Sequence, residues 1–179
     1  YGGVDVADIQ EVWHGQVAPY PDLLAWLDGK GDRPEVETHG RFRPVMLAHP
    51  IDEATEMPRL NPAEFAAEWK WDGIRVQAVS EGGIKRLYSR TGEDISHAFP
   101  DVVEAMDYEG VIDGELIVVR DGVLASFSEL QQRLNRKTSD AKRMAAHPAG
   151  IRAYDLLQDG DEDVRPLPFM ERRKRLEAT

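Results

Sequence analysis

The chain has 179 residues, enough for one ordinary domain with a short appendage, and 41% hydrophobic against 31% charged residues is a globular balance. It has no cysteine, which excludes disulfides, thiolate metal sites and a cysteine nucleophile and suits a cytoplasmic setting. A net charge of −11 argues against a dedicated nucleic-acid-binding module, because phosphates are neutralised by Lys and Arg. No apolar run approaches the roughly 20 residues of a membrane-spanning helix, so no membrane partner is expected, and no signal-peptide pattern opens the chain. Its first residue is Tyr1 rather than methionine, the mark of a processed, trimmed or excerpted sequence.

Apolar residues at helical spacing predict short helices over 4–14 and 20–28, with Gly15 and Gly29 at their ends. The polar, Gly- and Pro-rich stretch 29–44 reads as a linker, and a domain boundary is expected there. Two such helices cannot bury a core alone, so they read as the tail of a preceding unit. Beyond them, strands over 74–80 and 84–90 flank a glycine turn at Glu81-Gly82-Gly83. A helix follows over 99–106, then strands over 111–119 and 123–126 around Arg120-Asp121-Gly122. Ser126 and Glu129 stand at capping-box spacing for a helix running to about Asn135. Another helix starts at Ser139 and stops at Pro148; a strand over 151–157 and a basic helix over 169–177 complete the chain. Hairpins interleaved with helices, without strand-helix-strand alternation, predict an α+β fold on antiparallel sheets.

Charge is unevenly spread. Residues 1–70 hold 6 basic and 13 acidic residues, whereas 131–179 hold 11 basic and 8 acidic. Any polyanion contact is therefore expected in the second half, around Arg133, Arg136, Lys137, Lys142 and Arg143.

The stretch most suggestive of chemistry is Glu68-Trp69-Lys70-Trp71-Asp72-Gly73-Ile74-Arg75. It sets a lysine among aromatic residues, with carboxylates two positions to either side. A lysine becomes a nucleophile only when its pKa, about 10.4 in water, is lowered by desolvation or neighbouring cations. Lys-x-Asp-Gly alone is a four-position pattern, but further elements follow it in order. Ser89-Arg90 lies one hairpin on; Ile112-Asp113-Gly114-Glu115-Leu116 sets a carboxylate between apolar flanks; Ala153-Tyr154-Asp155 and an arginine-rich helix from Leu167 follow.

This series resembles the adenylation (nucleotidyltransferase) domain of ATP-dependent DNA ligases of bacterial type. Arg43-Pro44-Val45-Met46 is similar to the entry of that domain, and the helices before it are similar to the end of a helical DNA-binding domain. The resemblance implies residues 1–40 as the end of that domain plus linker and 41–179 as a partial adenylation domain. It implies Lys70 as the residue that accepts AMP and ATP as the nucleotide, with magnesium (Mg2+) in attendance and no metal ligand assigned. Glu68 would recognise the adenine amino group, Trp69 would line the nucleotide site, and Tyr154 would stack on the ring. Glu115 would accept from the ribose, and Arg75 and Arg90 would serve the ribose–phosphate region. The implied partner is nicked double-stranded DNA, sealed by a monomer in replication, repair or recombination.

The family's later Glu-Gly and Lys-x-Lys motifs are not found before Thr179, so the domain is expected to be incomplete at its C-terminus. The chain alone is expected to adenylate weakly or not at all and not to seal nicks. An RNA ligase or an mRNA capping nucleotidyltransferase would share the lysine chemistry. A noncatalytic nucleic-acid-binding fragment would account for the missing motifs, against the acidic charge.

Overall fold

The computed structural model describes residues 3–37, 39–134 and 140–179. Its centre is an antiparallel sheet in the order β2-β1-β3-β5-β6, with β4 paired to β3. The strands are β1 (Ile74–Glu81), β2 (Ile84–Ser89), β3 (Gly110–Arg120), β4 (Val123–Leu124), β5 (Ala149–Asp159) and β6 (Glu162–Asp163). The helices are α1 (Val6–Trp13), α2 (Pro21–Leu27), α3 (Pro100–Glu104), α4 (Phe127–Leu134), α5 (Ala141–Ala146) and α6 (Phe169–Leu176). The mixed helix and antiparallel-sheet class read from the sequence is the one observed.

Alternation within the strands divides the core. Val76 and Ala78 of β1, Leu87 of β2 and Leu116 and Val118 of β3 pack with Phe99, Val102 and Leu130 from the helical side. Val79, Tyr88, Val111 and Leu157 pack with Phe42 in a second cluster. The β1–β2 and β3–β4 hairpins turn on two residues at positive φ, Gly82-Gly83 (56° and 79°) and Asp121-Gly122 (52° and 78°), the sense that matches strand twist. Glu81 and Arg120 therefore belong to the strands and not to the turns: Glu81 pairs with Ile84 and is fully buried.

That burial corrects the linker reading of 29–44 at its C-terminal end, while residues 29–33, 35 and 37 are exposed. Phe42 and Arg43 are buried, and Arg43 makes two hydrogen bonds to Glu81 at 3.0 and 2.7 Å. Gln77 brackets the Arg43 backbone, accepting from its N–H at 2.7 Å and donating to its carbonyl at 2.8 Å. Glycine and charge made the whole segment read as solvated, yet Arg43 is paired inside. From α1, Val12 is buried, His14 packs edge-on against Phe42, and Glu11 accepts from Arg41 and Arg165.

Two further readings change. The capping box is not formed: the Glu129 carboxylate instead joins Arg120 at 2.6 Å and His147 at 2.9 Å. Those partners lie far along the chain and offer a charged alternative to a backbone N–H. Arg133 is not a surface cation. It is wholly buried over Phe99, donates to the Ala98 and His147 carbonyls, and pairs with Asp101. Lys142 is exposed and Arg143 half-buried, while Arg136, Lys137, Asn135 and Ser139 lie outside the described residues. Asp140 caps α5, accepting from the Arg143 N–H at 2.8 Å. Among the described residues no helix is long and apolar enough to cross a membrane.

Candidate nucleotide site

One cavity of about 1020 Å3 receives all seven residues singled out from the sequence: Glu68, Trp69, Lys70, Arg75, Arg90, Glu115 and Tyr154. They come from four separate stretches of chain, 68–75 and the surroundings of Arg90, Glu115 and Tyr154. Antiparallel pairing brings three together, since Arg75 lies opposite Glu115 on β3, and Glu115 opposite Arg152, two residues before Tyr154, on β5. Irregular register between β3 and β5 beside Asp113-Gly114 re-aims side chains at this point.

The sheet wall of the cavity is a linked polar network. Arg75 donates to both Asp113 oxygens, at 3.0 and 2.5 Å, and to the Met46 carbonyl at 2.9 Å. Its guanidinium lies 5.8 Å from the centre of the Tyr154 ring. The bond to Asp113 raises the Arg75 pKa further, so this cation is permanent. Burial pushes the Asp113 carboxyl upward against the opposing pull of Arg75. Burial also lifts the Tyr154 phenol well above its ordinary range, leaving it a neutral ring at physiological pH. Asp155, on the same wall, is held by Arg172 of α6 at 2.8 and 3.0 Å.

Glu115 faces the cavity with one oxygen engaged, accepting from the Gly73 N–H at 3.1 Å. Burial raises its pKa, opposed by that N–H and by the charges of Lys70 and Arg75. Gly73 has a steric reason to be glycine: a Cβ there would lie 2.2 Å from the Leu116 carbonyl and 2.9 Å from Cγ of Glu115. This contact anchors the end of the segment that carries Lys70 against β3.

That segment, residues 65–73, has no regular element, and Glu68, Trp69, Lys70 and Asp72 are exposed. Trp69 is 83% exposed at the rim. Lys70 and Asp72 make no hydrogen bond or ion pair among the described residues. Arg90 sits on a tight loop after β2, where the Ser89 carbonyl accepts from Gly92 and the Ser89 N–H donates to Glu93. Its guanidinium is exposed and likewise unpaired among the described residues.

Sequence reading missed Asp113, Met46, Asp155 and Phe169, which also line the cavity. Asp113 had a usable signal, since it stands two residues before Glu115 on a strand and so shares its face. The arginine-rich helix α6 is not a free basic surface. Arg172 pairs with Asp155, Arg173 with Glu68 and Glu177, and Arg175 with Asp159 and Glu162.

The residues present do not form a metal cage: Asp113 and Asp155 give both oxygens to arginine, and the described residues hold no cluster of three or more His, Asp or Glu fit for a metal ion.

The ATP dependent DNA ligase domain family matches residues 45–179, well over half of the chain. A DNA ligase of Pyrobaculum calidifontis is 36% identical over 186 residues, covering 97% of this chain and 31% of that protein. A DNA ligase of Archaeoglobus fulgidus is 36% identical over 148 residues, covering 80% of this chain and 26% of that protein. A solved structure of mycobacterial DNA ligase D complexed with ATP and MES is 30% identical with a TM-score of 0.49, covering 62% of this chain and 35% of that one. The chain thus spans about a quarter to a third of the length of these curated relatives. It belongs to the ATP-dependent DNA ligase domain family.

Proposed function

We propose that the cavity binds ATP and that Lys70 takes AMP from it, as the first step of DNA nick sealing. One observation carries the reading: seven residues from four stretches of chain, each with a chemical use for a nucleotide, line a single cavity of about 1020 Å3. Its size suits a small-molecule ligand. In this reading Glu68 accepts from the adenine amino group, Tyr154 covers the ring face, and the free oxygen of Glu115 accepts from the ribose. Trp69 closes the rim, and Arg90 meets the phosphates. Arg75, whose fork is held by Asp113, contributes fixed positive charge at the ribose–phosphate junction.

Neutral Lys70 then attacks the α-phosphorus with its Nζ lone pair. The bond from phosphorus to the bridging oxygen breaks, pyrophosphate leaves with that electron pair, and the nitrogen loses a proton to give a phosphoramide. Magnesium would arrive on the ATP phosphates, whose charge it would offset. AMP then passes to a DNA 5′-phosphate, and the 3′-hydroxyl displaces it to seal a nick in duplex DNA. Sealing in replication, repair or recombination extends the reading to the longer protein. We divide the chain as 1–40, the end of a DNA-binding unit, and 41–179, the adenylation unit. The family match beginning at residue 45 supports that division.

Equilibrium ATP binding, followed by tryptophan fluorescence, tests the site. Saturable binding is expected, weakened about tenfold by Glu115→Ala or Tyr154→Ala, the loss of one charge-assisted bond or one stacking contact. Binding unchanged in both variants would refute it. GTP binding tighter than ATP binding would favour the capping-enzyme alternative.

A further inference from the structure

Glu68 sits on a partition. It lines the large cavity on one side and a second space of about 200 Å3 on the other, between Trp69, Trp71, Arg152 and Arg173. Its segment has no regular element, and the open space behind it offers no packing to hold a side chain in place. One contact does: Arg173 Nη1 donates to Glu68 Oε1 at 3.3 Å and to the Tyr154 carbonyl at 3.4 Å. The same guanidinium takes Glu177 through Nε at 2.9 Å. Behind it, α6 is fixed to β5 by the buried pair Arg172–Asp155, so Arg173 projects from a rigid support. Glu68 Oε2 makes no hydrogen bond among the described residues and remains an acceptor.

We infer that Arg173 is a positioning residue for base selection: it holds Glu68 by one carboxylate oxygen so that the other is presented to the exocyclic amino group of the base. This rests on the reading of the large cavity as the nucleotide site. The chemistry is directional. An ionised carboxylate only accepts, so it favours the 6-amino group of adenine and repels the 6-carbonyl of guanine. A carboxylate free to swing into the space behind it would lose both effects. Arg173 touches no nucleotide in this arrangement and acts through Glu68. Lysine at the position would keep the charge but not the planar fork that serves Glu68, Tyr154 and Glu177 together.

The test is the ratio of ATP to GTP dissociation constants, measured by competition on the full chain with its melting temperature recorded. Arg173→Ala is expected to narrow the ratio about tenfold, chiefly by weakening ATP, while Arg173→Lys recovers part of it. Glu68→Gln is expected to narrow the ratio similarly, and the double variant Glu68→Gln with Arg173→Ala to go no further, since both act through one group. A merely structural arginine would lower the melting temperature and leave the ratio alone. Should Arg173→Ala fail to fold, a wild-type ratio in Arg173→Lys would overturn the inference. A wild-type chain that binds neither nucleotide overturns the nucleotide-site reading itself. One that prefers ATP equally with and without Arg173 overturns only the role of Arg173.

Discussion

The two walls of the cavity are built by different means. On the sheet side, Arg75, Asp113, Glu115 and Tyr154 are borne by neighbouring strands and tied to one another, and Asp113 is 1% exposed. On the other side, Glu68, Trp69 and Lys70 ride an exposed segment without regular structure, fastened at one end by Gly73 and near the other by Arg173. The difference separates two tasks. The sheet wall supplies a preformed surface for binding, whereas the nucleophile is carried on a part of the chain whose geometry is set by a few contacts. Substitutions on the sheet wall should therefore cost folding and binding together, and substitutions on the exposed part of the segment, Glu68 to Lys70, should cost binding or chemistry with little effect on folding.

The largest effect is expected at Asp113. Asp113→Ala leaves the Arg75 guanidinium without its partner and should lower stability by about 3 kcal/mol, the cost of breaking a buried pair. Chemical denaturation measures it, and a loss under about 0.5 kcal/mol, the scale of an ordinary surface change, would break the comparison. Gly73→Ala should cost about 1–3 kcal/mol, because the added Cβ meets the Leu116 carbonyl and strands must shift to admit it. Its ATP affinity should fall as well, since the Gly73 N–H orients Glu115.

Acidification should separate binding from folding. Burial raises the Glu115 pKa, so this carboxylate takes up a proton above the ordinary value of 4.5. Above its folded pKa it is an ionised acceptor; as pH falls through that value it is neutralised. ATP affinity is therefore expected to decline on acidification from a pH above 4.5, by about tenfold, while Glu115→Gln shows a weaker and flatter profile. Identical pH profiles for the two proteins would remove Glu115 from the site. The smallest effect on folding belongs to Trp69, which is 83% exposed. Trp69→Ala should change stability by less than about 0.5 kcal/mol yet weaken ATP binding measurably by calorimetry. A large loss of stability would mean that the segment is packed rather than free.

Much of this was legible in the residues. Alternation and Gly-rich turns gave the hairpins, and the ordered motifs gave seven positions that converge on one cavity. What was not legible was long-range pairing. Nothing local tells that Arg133 ends in the core beneath Asp101, that Arg43 meets Glu81, or that the arginines of α6 spend their charge on β5 and its neighbours. Periodicity reports which face a residue occupies, and composition reports how polar a stretch is. Neither reports the partner that makes a buried charge tolerable, so Arg43 and Arg133 read as solvated. Asp113 fell between these cases: its strand and face were readable, and its bond to Arg75 was not.

The most direct test concerns the exposed segment rather than the sheet wall. The chain is incubated with ATP and magnesium, and its intact mass and peptide map are recorded beside those of Lys70→Ala. The expected result is a low-occupancy adduct of one AMP confined to Lys70 and absent from the variant, with both proteins melting alike. AMP on any other residue, or an adduct that survives Lys70→Ala, would contradict the assignment of Lys70 as the nucleophile.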